Sequence, residues 1–170
     1  LVYVDAVQGW VNTMDSTSNV RADTYITATV SGACNTLVTA PDCANAKVAT
    51  FVGPGTFCVS QTAGTAANNV VSYMVVAGGG GAAGGHNLVK AGGGGAGGFR
   101  EYKSPVTPYT ASPLDGNPGG TEITAAATGY PITVGGGGGG VKPACLSPIG
   151  LTNTANASAG SDSVFSTITS

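Results

Sequence analysis

Two glycine patterns in this sequence have the spacing of a nucleotide-binding loop. Gly78-x-Gly80-x-x-Ala83 follows an apolar, strand-like run, and Gly92-x-Gly94-x-x-Gly97 has the same spacing. In dinucleotide-binding proteins such a loop opens a helix whose first amides hold a pyrophosphate. Each glycine inside a helix costs about 1 kcal/mol relative to alanine, and the glycines at 84, 85 and 92–95 therefore argue against a helix. A glycine run also satisfies the pattern trivially, so we expect no nucleotide cofactor.

Other residues that could do chemistry are few and scattered. His86 is the single histidine, and it is expected in an exposed loop. The carboxylates show no paired spacing that suggests acid–base catalysis, and no serine-nucleophile motif occurs. We expect no enzymatic activity, no cofactor and no metal site. The carboxylates weighed for catalysis are Asp5, Glu101, Asp115 and Glu122.

The four cysteines show no C-x-x-C spacing. We expect small, buried, reduced residues, and a disulfide that closes the loop between Cys34 and Cys43 is the alternative. The other two are Cys58 and Cys145.

Charged residues make up 8% of the chain, whereas they make up about 25% of ordinary soluble domains. A monomer with so few charges has little to keep it in solution. We therefore expect a homo-oligomer whose subunits cover much of each other's surface. The net charge of −2 and the scattered Lys and Arg residues argue against nucleic-acid binding. No apolar run reaches the roughly 18 residues of a membrane helix, so we expect no membrane insertion.

Eighteen of the 29 glycines lie in two blocks, residues 78–98 and 135–140. A flexible linker usually mixes glycine with serine or charged residues, and these blocks contain no serine. The favoured alternative is a packed array of polyglycine II helices, which have three residues per turn and no internal hydrogen bonds. A branched side chain at Gly137 is expected to disrupt such an array. The glycines predicted to be structural are Gly78, Gly80, Gly93, Gly95, Gly136 and Gly138.

The rest of the sequence predicts an all-β fold with little or no α-helix. Alternating apolar residues and turn signals predict an N-terminal hairpin over residues 1–14. A second hairpin is expected over residues 47–61, with Phe51 opposite Phe57. Residues 32–46 are expected to be irregular, and residues 70–76 to form a central strand that is covered on both faces.

The composition changes at residue 77 and suggests two parts. Residues 1–76 are expected to be a small β-sandwich-like unit, and residues 77–170 a glycine-rich domain with polyglycine II packing. Projecting loops are expected at residues 81–90, 105–119 and 142–153. Arg100 and Glu101 are expected to form an exposed or interfacial ion pair. The candidate contact residues on the loops are His86, Asn87, Lys90, Tyr109, Asp115 and Asn117.

Three segments together resemble a known family. They are SYMVVAGGGG at 72–81, AGGGGAGGFRE at 91–101 and GYPITVGGGG at 129–138. Their order resembles the glycine-rich domain of tail-fibre-like virion structural proteins of tailed bacteriophages, especially marine ones. Residues 2–10, 51–57 and 160–169 resemble the flanking parts of the same proteins.

The resemblance implies a structural component of a phage virion appendage that contributes to host attachment. It further implies a homotrimer, contacts with other virion proteins and a host-surface receptor, and glycine-rich chain beyond residue 170. The protein would be located in the virion after assembly in the host cytoplasm. The alternatives are an extracellular matrix or surface fibre protein, and a shaft, connector or capsid-attached fibre without receptor contact.

Overall fold

The computed structural model describes residues 2–3, 7, 10–11, 24–41, 43–83, 92–141 and 157–170. Regular structure in these residues is almost entirely β, with one short 3-10 turn at Ala66–Asn69, and this confirms the all-β prediction. The strands in chain order are β1 (Val2–Tyr3), β2 (Trp10–Val11), β3 (Thr27–Val30), β4 (Thr36–Ala40), β5 (Cys43–Thr50), β6 (Gly55–Gln61), β7 (Val70–Val71), β8 (Tyr73–Val76), β9 (Phe99–Tyr102), β10 (Ile123–Thr124), β11 (Gly129–Thr133), β12 (Val164–Phe165) and β13 (Ile168–Thr169).

The largest sheet has five antiparallel strands in the order β13-β12-β11-β6-β3. Phe57 in β6 lies opposite Val30 on one side and Tyr130 on the other. The predicted Phe51–Phe57 hairpin is therefore wrong. Strand β5, which precedes the Gly-Pro-Gly turn, pairs with the earlier strand β4, since Val48 lies opposite Val38. Strand β6 pairs instead with β3 and β11.

The pairing of β4 with β5 also corrects the prediction that residues 32–46 are irregular. Leu37 and Ala49 are half-buried partners in this ladder, whereas Val38 and Val48 are exposed partners. The N-terminal hairpin is confirmed by the antiparallel pairing of β1 with β2.

Strand β8 pairs with β9 and is covered on one face only. Tyr73 and Val75 are buried, whereas Met74 is 63% exposed and Val76 is 52% exposed. The prediction that both faces are covered is therefore wrong. The continuous apolar run hid an ordinary two-residue alternation of inward and outward side chains.

The hydrophobic core is a small cluster where these sheets meet. The Tyr73 and Phe165 rings meet edge to face with centroids 5.7 Å apart, and Tyr130 packs on Phe165 at 6.0 Å. The buried members of the cluster are Tyr73, Val75, Ile123, Phe165 and Ile168. The cluster lies where strands β8 and β12 adjoin the glycine-rich segments.

The backbone changes its hydrogen-bonding period at the end of the β8–β9 ladder. Residues 77–83 (segment I) and 92–98 (segment II) continue the two strands, but they now pair at every third residue. Ala77, Gly80 and Ala83 donate their amides to the carbonyls of residues 98, 95 and 92, at 2.9 to 3.1 Å. Three residues per turn is the signature of polyglycine II.

The β11–β12 ladder converts in the same way into residues 135–141 (segment III) and 157–163 (segment IV). Ser158 and Ser161 donate their amides to Gly139 and Gly136 at 3.0 and 2.9 Å. Segment I joins the two pairs: Gly78 and Gly81 donate to segment IV, and segment III donates to the carbonyls of residues 79 and 82. The four segments form one hydrogen-bonded lattice, with segment I bonded to the other three.

Close backbone contacts in the lattice also recur at every third residue. A Cβ added at Gly78 or Gly81 would collide with the carbonyls of residues 136 and 139. The same holds between segments II and I, III and IV, and IV and I. The colliding positions in those pairs are Gly94, Gly97, Gly135, Gly138 and Gly160.

The six glycines named from the sequence occupy different places in this scheme. Gly78 and Gly138 are close-contact positions. A Cβ at Gly80 or Gly136 would have ordinary contacts, the nearest at 3.5 and 4.0 Å, and one at Gly93 or Gly95 would meet nothing within 4 Å. Sequence reasoning found the lattice without its register.

The predicted division at residue 77 coincides with the change from two-residue to three-residue periodicity. The five-stranded sheet nevertheless combines strands from both sides of that point, and the division into two domains stays a prediction. Cys34 and Cys58 are exposed free thiols, so the expectation that they are buried is wrong. Cys145 lies outside the described residues, as does the side chain of Cys43.

Matched alanine substitutions at neighbouring glycines test the register of the lattice. Gly138→Ala places a Cβ against the backbone of Ser158 and Ala159, which cannot yield without breaking the lattice. We expect a loss of about 2–3 kcal/mol in the free energy of unfolding, as for other overpacked interiors. Gly137→Ala meets its nearest neighbour at 3.7 Å, and we expect it to be neutral or slightly stabilising. Urea unfolding measures both, and equal effects would contradict the register.

Candidate functional site

The loop of residues 103–120, between β9 and β10, is the longest described segment that projects from the fold without regular strands. It contains four prolines, at 105, 108, 113 and 118. Short turns fold it on itself: Thr107 donates to Ser104, Asn117 to Leu114 and Gly120 to Asn117, at 2.7 to 3.1 Å. Proline fixes φ at each of its positions, so the loop has little conformational freedom to lose.

Glu101 in β9 holds this loop against the strand through hydrogen bonds. Its side chain is 2% exposed, and its carboxylate accepts hydrogen bonds from the Ser112 amide at 3.2 Å and from the Ser112 hydroxyl. The Tyr109 hydroxyl donates to the same carboxylate at 3.4 Å. A buried carboxylate is strongly disfavoured unless hydrogen bonds satisfy it, so this arrangement couples the loop conformation to the strand.

A second set of contacts closes the base of the loop. The Lys103 amide donates to the Asp115 carboxylate at 2.8 Å, and the Gly116 amide donates to the Glu101 carbonyl at 3.1 Å. A side chain at Gly120 would collide with that same carbonyl. The chain therefore returns directly alongside β9.

Arg100 lies under the end of the loop and forms no ion pair with Glu101 in the described part of the chain. Its Nη1 donates to the Phe99 carbonyl at 2.9 Å, and its Nε is buried without a partner. Gly119 has a φ of +92°, and a Cβ there would lie 2.5 Å from this Nε. The predicted Arg100–Glu101 ion pair is wrong, because successive side chains of a strand point to opposite faces.

Hydroxyl groups tie the start of the loop to the end of β7. The Ser72 hydroxyl lies 2.6 Å from the Thr107 hydroxyl and accepts the Ser104 amide at 2.9 Å. Ser104 is fully buried, and its hydroxyl has no partner among the described residues. The loop is thus held at its start, middle and end.

Tyr109 combines an internal anchor with an exposed ring edge. The residue is 38% exposed, and the Lys103 ammonium lies 5.9 Å from its ring centroid, within reach of a cation–π interaction. Burial raises the pKa of the Tyr109 hydroxyl, and the neighbouring Glu101 carboxylate raises it further. The hydroxyl is therefore a hydrogen-bond donor at neutral pH.

The candidate contact residues fall into two groups. Three of them lie in this loop and are exposed: Tyr109, Asp115 and Asn117. Tyr109 contacts Glu101 in β9, and Asp115 contacts Lys103, which directly follows β9. His86, Asn87 and Lys90 lie outside the described residues. Glu101, the residue that organises the site, was assigned only a surface role from the sequence. Its only signal was an acidic residue beside Arg100 in a short strand that precedes a Ser- and Tyr-containing loop.

The described ranges contain no cluster of three or more His, Cys, Asp or Glu residues that could hold a metal ion. Within the same ranges, no helix has the length and apolar character needed to cross a membrane. The site offers exposed side chains on an ordered loop. Such a surface can bind another molecule through its side chains.

Comparison with known proteins gave one finding. A family model described as a glycine-rich domain matches residues 52–170. Searches of curated proteins and of solved structures gave no match.

Removal of the Glu101 carboxylate tests its role as the anchor of the loop. Glu101→Ala leaves the half-buried Ser112 amide without its acceptor, and we expect a loss of about 1–3 kcal/mol in the free energy of unfolding. Amide exchange at Ser112 should become faster by a larger factor than exchange at Gly78 and Gly81 in the lattice. The matched control is Glu122→Ala, because Glu122 is exposed and bonds only to side-chain hydroxyls. Unchanged exchange at Ser112 would contradict the anchor.

Proposed function

We propose, from the premise that this chain belongs to the glycine-rich domain family, that it is a non-enzymatic structural component of a phage virion appendage. The appendage is a tail fibre or a similar structure, and the protein contributes to attachment to the host surface. The observation that carries the proposal is the ordered loop of residues 103–120 on a hydrogen-bonded glycine lattice. Binding residues are commonly found on loops that a rigid scaffold positions.

The arrangement of strands and segments suits a scaffold in an extended assembly. Each strand pair runs from a two-residue ladder into a three-residue ladder, so backbone hydrogen bonds join the two chains along both parts. The resemblance of the three glycine-containing segments to tail-fibre-like proteins supplies the phage context. In this proposal the protein is located in the virion and is assembled in the host cytoplasm.

The surface of the chain supports an oligomer, which we propose is a homotrimer. Met74 and Val76 are exposed side by side on the outer face of β8, and Val52 is 61% exposed. Together with a charged fraction of 8%, these side chains favour contacts with other copies or with other virion proteins. Repeated copies of the loop would raise the avidity of weak host contacts.

Loop variants without internal contacts test the attachment role. Leu114 is 48% exposed, and the Asn117 side chain makes no hydrogen bond with the described residues. Phage that carry Leu114→Lys and Asn117→Lys should assemble at normal yield but adsorb to host cells more slowly by about tenfold, since multivalency amplifies each lost contact. The matched control is Val48→Lys on the β4–β5 hairpin, where the residue is also exposed at 48%.

Three outcomes separate the alternatives. Unchanged adsorption of the double variant would favour a shaft or connector without receptor contact. Equal losses for the double variant and the control would point to a general effect of added charge. Absence of the protein from purified virions, by mass spectrometry, would contradict the phage proposal and favour a cellular surface or matrix fibre.

A further inference from the structure

Among the described lattice segments, segment II alone has two glycines three residues apart, Gly92 and Gly95, where an added Cβ would meet nothing within 4 Å. Its carbonyls at residues 92, 95 and 98 accept from segment I, but its own amides donate to no described residue. Segment III, in contrast, donates from five of its seven amides, at residues 135, 136, 138, 139 and 141. The lattice therefore ends at segment II with an unpaired row of backbone donors, comparable to the open edge of a β-sheet.

Three of the glycines on this open edge have no steric reason among the described residues. A Cβ at Gly94 or Gly97 would collide with segment I, so those two positions require glycine. Gly92, Gly93 and Gly95 would meet nothing within 4 Å and have no positive φ. Glycine costs about 0.5–1 kcal/mol relative to alanine where its freedom is not needed, and a close approach by another backbone would explain its use here.

Gly95 and Gly98, which are in the same three-residue register as Gly92, line a groove between segments II and IV, and residues 77, 78 and 80 of segment I also line it. One end of this register already has an occupant. The backbone of Ser170 lies where a Cβ of Gly98 would be, at 2.6 Å. Ser170 is fixed there by the hydrogen bond from its amide to the Ser163 carbonyl at 3.1 Å. A backbone thus lies against this row of glycines at Gly98, whereas a Cβ built at Gly95 or Gly92 would meet no described residue within 4 Å.

We propose that this groove is the docking site of a fifth chain segment, a run of glycines in the polyglycine II conformation that enters beside Ser170 and runs toward Gly92. The chemistry of the occupant follows from the groove. Six of the eleven residues that line it are glycines, and the others are Ala77, Ala96, Ala159, Asp162 and Ser170. Segment II contributes amides that donate to no described residue. The close contacts between segments in this lattice allow no Cβ at every third residue. An occupant with carbonyls spaced at three residues per turn can accept from those amides, as segment II itself accepts from segment I.

The inference does not depend on the virion role, and it is tested on the chain itself. Six glycines are appended after Ser170, and six serines are appended in the matched control, which has the same length but a Cβ at each residue. The measurements are amide exchange of segment II, thermal unfolding, and mass in solution by sedimentation. With the glycine tail, we expect the segment II amides to exchange more slowly by about tenfold and the unfolding temperature to rise. The number of subunits in solution should stay the same as for the tail-less chain. The serine tail should change none of these.

Gly95→Ala gives the second arm of the test. In the tail-less chain its Cβ enters open space, so its unfolding temperature should equal or slightly exceed that of the parent. In the glycine-tailed chain the same variant should abolish both the added protection and the rise in unfolding temperature. Equal effects of the two tails, or no protection by either, would overturn the proposal. Protection of segment II that rises with concentration in the tail-less chain would also overturn it, because a second copy would then be the occupant.

Discussion

The structure depends on close approach of bare main chain at every third residue. Where segments I and III meet, the carbonyl of residue 136 occupies the space that a Cβ of Gly78 would need. Only at this separation can the Gly138 amide reach the Gly79 carbonyl at 2.8 Å. The hydrogen bond therefore requires a residue without a side chain at the close contact, and this requirement repeats along all four segments.

This constraint explains the unusual composition. The hydrophobic cluster of the described residues has five buried members, which is few for a chain of this length. The lattice supplies cohesion through backbone hydrogen bonds that satisfy its polar groups internally. Serine takes part where glycine does not: the hydroxyls of Ser158 and Ser161, three residues apart, accept the amides of Gly139 and Gly136. Ser163 joins the two systems, since its hydroxyl donates to the Val76 carbonyl at 2.7 Å and accepts the Gly135 amide at 2.9 Å.

Sequence reasoning identified the lattice but only part of its membership. The runs at 78–81 and 135–140 can be recognised from the sequence, because so many consecutive glycines have few ordered conformations. Segment IV contains one glycine, Gly160, and it was missed because its serines act through hydroxyl groups that a search for glycine ignores. Glu101 was misjudged for a related reason: its partners, Tyr109 and Ser112, come from a loop whose path is set by prolines and turns. The pairing of β6 with β3 and β11 was also hidden, since a turn signal shows that the chain reverses but does not show which strand it joins.

The most direct measurement is residue-by-residue amide exchange across segments I and III. The account predicts a repeat of two slow amides and one fast amide, because the amides at residues 79, 82, 137 and 140 donate to no described residue, whereas the other amides of these two segments are hydrogen-bonded. Fast exchange at those four positions, between slowly exchanging neighbours, would establish the three-residue lattice. Uniformly fast exchange would mean a solvated linker, and alternation at every second residue would mean ordinary β-strands. Either result would contradict the account.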